Sequence, residues 1–221
     1  MWLSGENEVA GLDYKYVKMP SGEFDKLMCE KFASIFKNRH GDMRTTCMVW
    51  GFDIGPGWFP LLYKLCEQIK AICDLTGLDF TGVQIKEKFG SLRFYNNIGA
   101  GTCKLDEKEQ TVYCDIIERL IDFASNDSEH ICGTCGLYFP YDQISTGSWI
   151  YDNCKECLKK DRPEIAESID EIFKERKETK KITSYVNTIL DTPNWTYGRL
   201  MGTLAVQTQV PLPKEKEDED T

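Results

Sequence analysis

The sequence predicts an α+β protein: three helices on a small antiparallel sheet, with an embedded zinc ribbon-like module. Three observations lead there. Apolar residues recur every three to four positions in three long segments. Between the second and third of these, an alternating run doubles back as a hairpin. Further on, a segment poor in apolar residues holds two Cys-x-x-Cys pairs.

The first helix opens at Ser21, with Glu23 and Asp25 in its first turn, where the helix dipole favours acids. Phe24, Leu27, Met28, Phe32, Ile35 and Phe36 form its buried stripe, and Gly41 is the expected stop. Thr45–Phe52 reads as a short β-type run, closed by the turn Gly55-Pro56-Gly57. A second helix starts near Trp58. Leu61, Leu62, Leu65, Cys66, Ile69, Ile72 and Cys73 share one face, and Gly77 ends it. Residues 80–95 form the hairpin. Val83, Ile85, Glu87 and Phe89 alternate with Gln84, Lys86 and Lys88, Gly90-Ser91 turns the chain, and Leu92–Tyr95 returns.

The third helix starts near Asp106, which with Glu109 has the spacing of a capping box. Its apolar face is Val112, Tyr113, Ile116, Ile117, Leu120, Ile121 and Ala124. A fourth helix, capped by Asp161 and with Pro163 in its first turn, has a sparse apolar side and a heavily charged outer face. It reads as a surface helix. Beyond it, a short helix near Tyr185–Leu190 and a strand near Leu204–Val210 are expected. The chain thus divides into an α+β core domain (1–128), the zinc module (129–160), a helical and extended C-terminal extension (161–210) and a disordered acidic tail (211–221).

Composition narrows the function. The 221 residues are 41% hydrophobic and 12% aromatic, enough for a packed core. Asp and Glu number 36 against 27 Lys and Arg, a net charge of −9, and the chain stays acidic without its tail. That disfavours a broad basic footprint for nucleic acid and leaves a local patch open. No run approaches the ~18 apolar residues of a membrane span, and the N-terminus lacks a basic region followed by an apolar run. The expectation is a cytoplasmic protein without a membrane partner. In that reducing setting, paired cysteines more often ligate metal than form disulfides. Only His40 and His130 are available as histidines, too few for a His-rich catalytic centre.

The strongest motif is Cys132-Gly133-Thr134-Cys135 with Cys154-Lys155-Glu156-Cys157, 18 residues apart. Two residues between cysteines let both sulfurs of a tight knuckle face one ion, and two knuckles complete a tetrahedron. Gly133 and Gly136 relieve the backbone there. One structural zinc is the expected cofactor, with all four positions filled and none left for an activated water. A redox pair would need only one Cys-x-x-Cys, and His130 as a substitute ligand is the lesser alternative. The deaminase H-x-E, the protease H-E-x-x-H, the nucleophile elbow and the phosphate-binding loop are all missing from the sequence. Binding without catalysis is therefore expected. Cys66, Cys73 and Cys114 read as small buried hydrophobes.

Candidate contact residues lie elsewhere. Lys86, Lys88, Phe89, Arg93 and Tyr95 interleave cations and aromatics. That is the pattern of a single-strand nucleic-acid face, and equally of a strand pair with a charged outer side, which the acidic total favours. Trp50, Phe52, Trp58 and Phe59 crowd around Gly55-Pro56-Gly57, as a core corner or as a binding hot spot with Trp58 as its contact residue. Trp149-Ile150-Tyr151 is expected to pack over the zinc module.

Three strings then stand together: Gly51-Phe52-Asp53-Ile54-Gly55-Pro56-Gly57-Trp58-Phe59-Pro60-Leu61-Leu62, Val83-Gln84-Ile85-Lys86-Glu87-Lys88-Phe89-Gly90-Ser91-Leu92-Arg93-Phe94-Tyr95, and the paired cysteines. In this, residues 45–158 resemble a group of small bacteriophage and prophage proteins with a Gly-Trp motif, a KEKFGxLRFY hairpin and a four-cysteine zinc module. The resemblance implies a phage-encoded protein in a bacterial host cytoplasm; taken with the closed metal site and the missing catalytic constellations, it leads to the expectation of a protein that engages or inhibits a host defence or regulatory protein. It supplies no catalytic residue. Two alternatives remain open: a nucleic-acid-binding protein using the 83–95 hairpin and the zinc module, and an enzyme of unrecognised type.

Overall fold

The computed structural model describes residue 9 and residues 11–179, with side chains as far as residue 174. The helix expected near 185–190, the strand near 204–210 and the acidic tail lie outside the described residues. Among the described residues the architecture is mixed α+β, with five α-helices and two small sheets. No described helix is long and apolar enough to cross a membrane.

Helix α1 spans Ser21–Lys31, shorter than its stripe predicts. Phe32, Ile35 and Phe36 are buried as expected, but in irregular turns. The Ile35 carbonyl, which a continuing helix would use internally, instead accepts the Gly82 N–H at 2.8 Å. The Thr45–Phe52 strand is also replaced. Cys47–Trp50 is a 3₁₀ turn, capped by the Thr46 hydroxyl accepting from Met48 N–H at 3.1 Å. This local bond competes with strand pairing. Gly51, at φ 80°, then resets the chain, and only Phe52–Asp53 (β1) pairs.

Helix α2 (Phe59–Thr76) ends on Gly77 at φ 77°, as its sequence predicts. Strands β2 (Asp79–Lys88) and β3 (Ser91–Gly99) form the antiparallel hairpin, with a bulge between Gly82 and Gln84. The turn is Phe89-Gly90, one residue earlier than expected. Both residues are left-handed, at φ 54° and 75°, the form that matches the twist of a two-residue hairpin. Strand β1 adds parallel to β2, so the sheet is mixed rather than antiparallel, in the order β1-β2-β3. Helix α3 (Glu107–Ser128) carries the complete capping box. Asp106 accepts from Lys108 and Glu109 N–H at 2.9 Å each, and Glu109 accepts from Asp106 N–H at 3.1 Å.

These helices and the sheet share one apolar core, centred on residues such as Phe24, Met28, Trp58, Leu62, Ile85 and Ile117. Phe24 and Phe59 stack with ring centroids 4.0 Å apart. Helix α3 lies along β3, where the Ser128 hydroxyl accepts the Leu92 N–H at 2.8 Å. Ribbon β4 (Ser145–Thr146) and β5 (Trp149–Ile150) follows, then α4 (Lys155–Asp161) and α5 (Ala166–Thr179). Asp161 therefore ends α4 instead of capping the next helix. Lys155 and Lys159 both pair with Asp170 and tie α4 to α5. Ile169 of α5 is fully buried with Ile144 and Leu158, so the sparse apolar side covers the cysteine segment.

Candidate metal centre

Two backbone turns build the site. In the first, Ile131 and Tyr138 form an isolated antiparallel bridge, and Cys132 N–H donates to Leu137 O at 3.0 Å. Gly136, at φ 73°, closes the knuckle with its N–H on Cys132 O at 2.8 Å. The Cys135 N–H points at Cys132 Sγ at 3.5 Å, a bond that favours the thiolate. In the second turn, Cys154 is the N-cap of α4 and Cys157 lies within that helix. The Tyr141 hydroxyl accepts from Lys155 N–H at 2.6 Å and holds the helix start in place.

The four Sγ atoms lie within 4.8 Å of one another, and Cys135 and Cys154 are 3.9 Å apart. A tetrahedral ion with 2.3 Å arms to sulfur needs S···S edges of about 3.8 Å. Spacing and donor chemistry both fit a metal. Crowding also splits the acidities. Hydrogen bonds from Cys135, Cys154 and Cys157 drive the Cys132 thiol far down, while the bond to Cys132 drives Cys154 and Cys157 far up. A bound cation would relieve that repulsion and let all four ionise.

The knuckle is joined to the core through the Gly55-Pro56-Gly57 turn. Gly57 N–H donates to Gly133 O at 2.7 Å. A Cβ on Gly57 would sit 2.0 Å from Cys132 O, and one on Gly55 would sit 2.2 Å from Gly133 O. Both glycines are required for backbone to meet backbone. The next residue corrects an expectation. Trp58 is fully buried and cannot meet a partner; its indole N–H donates to Ile131 O at 2.6 Å. The hairpin tip joins from the other side, where the Gln143 amide donates to Gly90 O at 2.5 Å. The role of the turn as a dock was missed in the sequence, although glycines at 55, 57 and 133 were its signal.

The remaining candidates are on the surface or beside it. Lys86 Nζ lies 5.6 Å from the Tyr95 ring centroid and Lys88 Nζ lies 5.2 Å from that of Phe89. Arg93, opposite Lys86 in the register, donates to Ser125 Oγ at 3.2 Å. Phe89 is 65% exposed. Trp149 is 63% exposed, so it does not pack over the module; Tyr151 alone of that run turns inward, beside Ile144 and Leu158. His130 is outside the sulfur cluster, its ring facing Tyr138 and Phe139. Burial pushes the Cys66 thiol well up and Cys73 up to about 11, which keeps both protonated and poorly nucleophilic at neutral pH.

Fold and site together define an α+β protein with a four-cysteine cluster compatible with a metal. Compared with protein-family models, curated proteins and solved structures, the chain matches none of them.

Proposed function

We propose that this is a zinc-stapled binding protein that acts through its surface, and that it engages a host protein as a phage-encoded factor. The observation that carries the reading is the four-sulfur cluster, whose donors are close enough to fill every position of one tetrahedral ion. Such an ion organises backbone and offers no open position to a substrate. The resemblance of residues 45–158 to phage proteins supports the choice of a host partner. Metal analysis of protein purified without chelator is expected to give one zinc per chain. Affinity capture from a bacterial host lysate, read by mass spectrometry, is expected to recover one stoichiometric protein. Protein free of metal would end this reading.

One observation favours nucleic acid as a second reading. Lys86 and Lys88 contact aromatic rings and, among the described residues, pair with no carboxylate. A salt-dependent mobility shift of single-stranded DNA, abolished by Lys86→Glu with Lys88→Glu and Arg93→Glu, would establish it. No shift at low salt would dismiss it.

A further inference from the structure

The Gly-Pro-Gly turn, the hairpin tip and both cysteine knuckles meet around a single open cleft of about 330 Å³. Its walls include Gly55, Glu87, Gly133, Trp149, Asp152 and Asp161. The docking bonds account for the glycines but not for the side chains the cleft presents. Three acidic residues line it: Glu87 from the hairpin, Asp152 before the second knuckle and Asp161 at the end of α4. The one cation in the wall, Arg162, is paired with Glu164 at 3.6 Å. Trp149 keeps a large aromatic surface in water at the same place, and Ile150 beside it is 36% exposed.

Phe89 is a second exposed aromatic, next to Gly90, whose ideal Cβ would lie 2.8 Å from Ile150. A phenylalanine in the left-handed region is strained, and its ring is left in solvent rather than packed. Folding alone gives no reason for phenylalanine at that turn position. Exposed aromatic residues, Trp above all, are enriched at contact hot spots.

We propose that this cleft receives an arginine or lysine side chain from a partner polypeptide, stacked on Trp149 and facing the carboxylates of Glu87 and Asp152. The inference rests on the reading of the protein as a binding protein and specifies the chemistry of its partner. Charge complementarity selects the occupant. A cation is attracted both by the carboxylates and by the face of an indole, the best of the aromatic rings for this purpose. Gly133 and Asn153 in the wall are chain neighbours of Cys132 and Cys154, and four thiolates on a divalent ion there would carry a net charge of about −2 and deepen the same potential. A phosphate backbone is repelled by all of these groups. The volume suits one long side chain and its nearest waters, at the lower end of the range for binding pockets.

The test uses the full chain with its metal content measured first. A capped peptide of alternating arginine and glycine is titrated by calorimetry. The same peptide with citrulline, which keeps the shape and lacks the charge, serves as comparison. The arginine peptide is expected to saturate at one per chain, with citrulline at least tenfold weaker. Trp149→Ala and Glu87→Gln should each weaken binding by about threefold to tenfold. Glu87→Gln retains the oxygen that accepts the Gly90 N–H, so the turn is preserved. Glu107→Gln, an exposed acid at the far end of α3, should leave binding unchanged. Equal binding of citrulline, equal loss in Glu107→Gln, or preference for oligodeoxythymidine would overturn the proposal, as would no binding by metal-loaded protein of unaltered circular dichroism. A chain without metal is detected before any peptide is added and counts against the zinc reading, whereas the titration judges the cleft.

Discussion

The helical core and the cysteine segment solve the same problem by different means. The core buries large side chains from three helices and the sheet, among them Trp58, Phe24, Phe32, Phe59 and Phe80. Around the sulfurs the buried cluster is only Cys132, Phe139 and Cys154. Burial of apolar area stabilises the first, at roughly 25 cal/mol per Å². Less such area lies against the knuckles, where ligand bonds to the proposed ion would supply the difference. Stability that is spread over many contacts degrades gradually, whereas stability concentrated on one ion is lost at once.

Removing the ion is the sharpest way to break the comparison. With the proposed ion bound, chelation should remove on the order of 10 kcal/mol from the cysteine segment, and Cys135→Ser a part of that. Hydrogen exchange is expected to lose protection over 131–158 while α2 and α3 stay protected. Equal loss in both regions would mean that they form one cooperative unit. Trp58→Ala comes next, at about 3–5 kcal/mol, because it opens a cavity in the core and leaves the Ile131 carbonyl unpaired. Trp58→Phe fills most of the space and isolates the hydrogen bond, at about 1–3 kcal/mol. Denaturant melts read both, and affinity for the proposed ion should fall in each because the same bond positions the knuckle.

Asp127 tests the core side of the boundary by pH. Burial pushes its carboxyl up from 3.8 to about 6. The native state therefore holds that proton more tightly than the unfolded chain does. Its contribution is fullest below pH 3.8 and is lost as pH rises through 6, a penalty of up to about 3 kcal/mol at pH 7. Asp127→Asn should thus stabilise the protein at pH 7 and change little at pH 3.5, as read by thermal melts. The smallest effect is expected at the hairpin tip. Phe89→Asn replaces a strained residue with one suited to a left-handed turn and should gain about 1 kcal/mol. A loss instead would show that the Phe89 ring has a packing role within the molecule.

Much of this was legible before any coordinates. The two Cys-x-x-Cys pairs, the Asp106 capping box, the Gly77 stop and the hairpin all follow from local spacing. Failures arose where a distant segment took over a local group. Helix α1 stops early at Phe32, whose backbone (φ −123°, ψ 43°) leaves the helical region, and the turns beyond it give the Ile35 carbonyl to Gly82; no periodicity in 21–41 encodes that. The Thr45–Phe52 run is β-like in composition, yet the Thr46 cap and the left-handed Gly51 turn it into a 3₁₀ turn. Trp58 could be read as surface or core until its acceptor, Ile131, was placed beside it. Asp161 looked like a helix cap because Pro163 follows it, but a preceding helix begun at Cys154 reaches it first. The cleft itself could not be read at all, since its walls come from four separated stretches of chain.

The Trp58–Ile131 bond links residues 73 positions apart. At a synthesis rate of about 5–20 residues per second, the acceptor leaves the ribosome roughly 4–15 s after the indole does. Until then the indole N–H lacks its final acceptor, so the Gly-Pro-Gly turn docks on the first knuckle only after residue 131 has been made, and a chain cut short before it would leave that dock unmade.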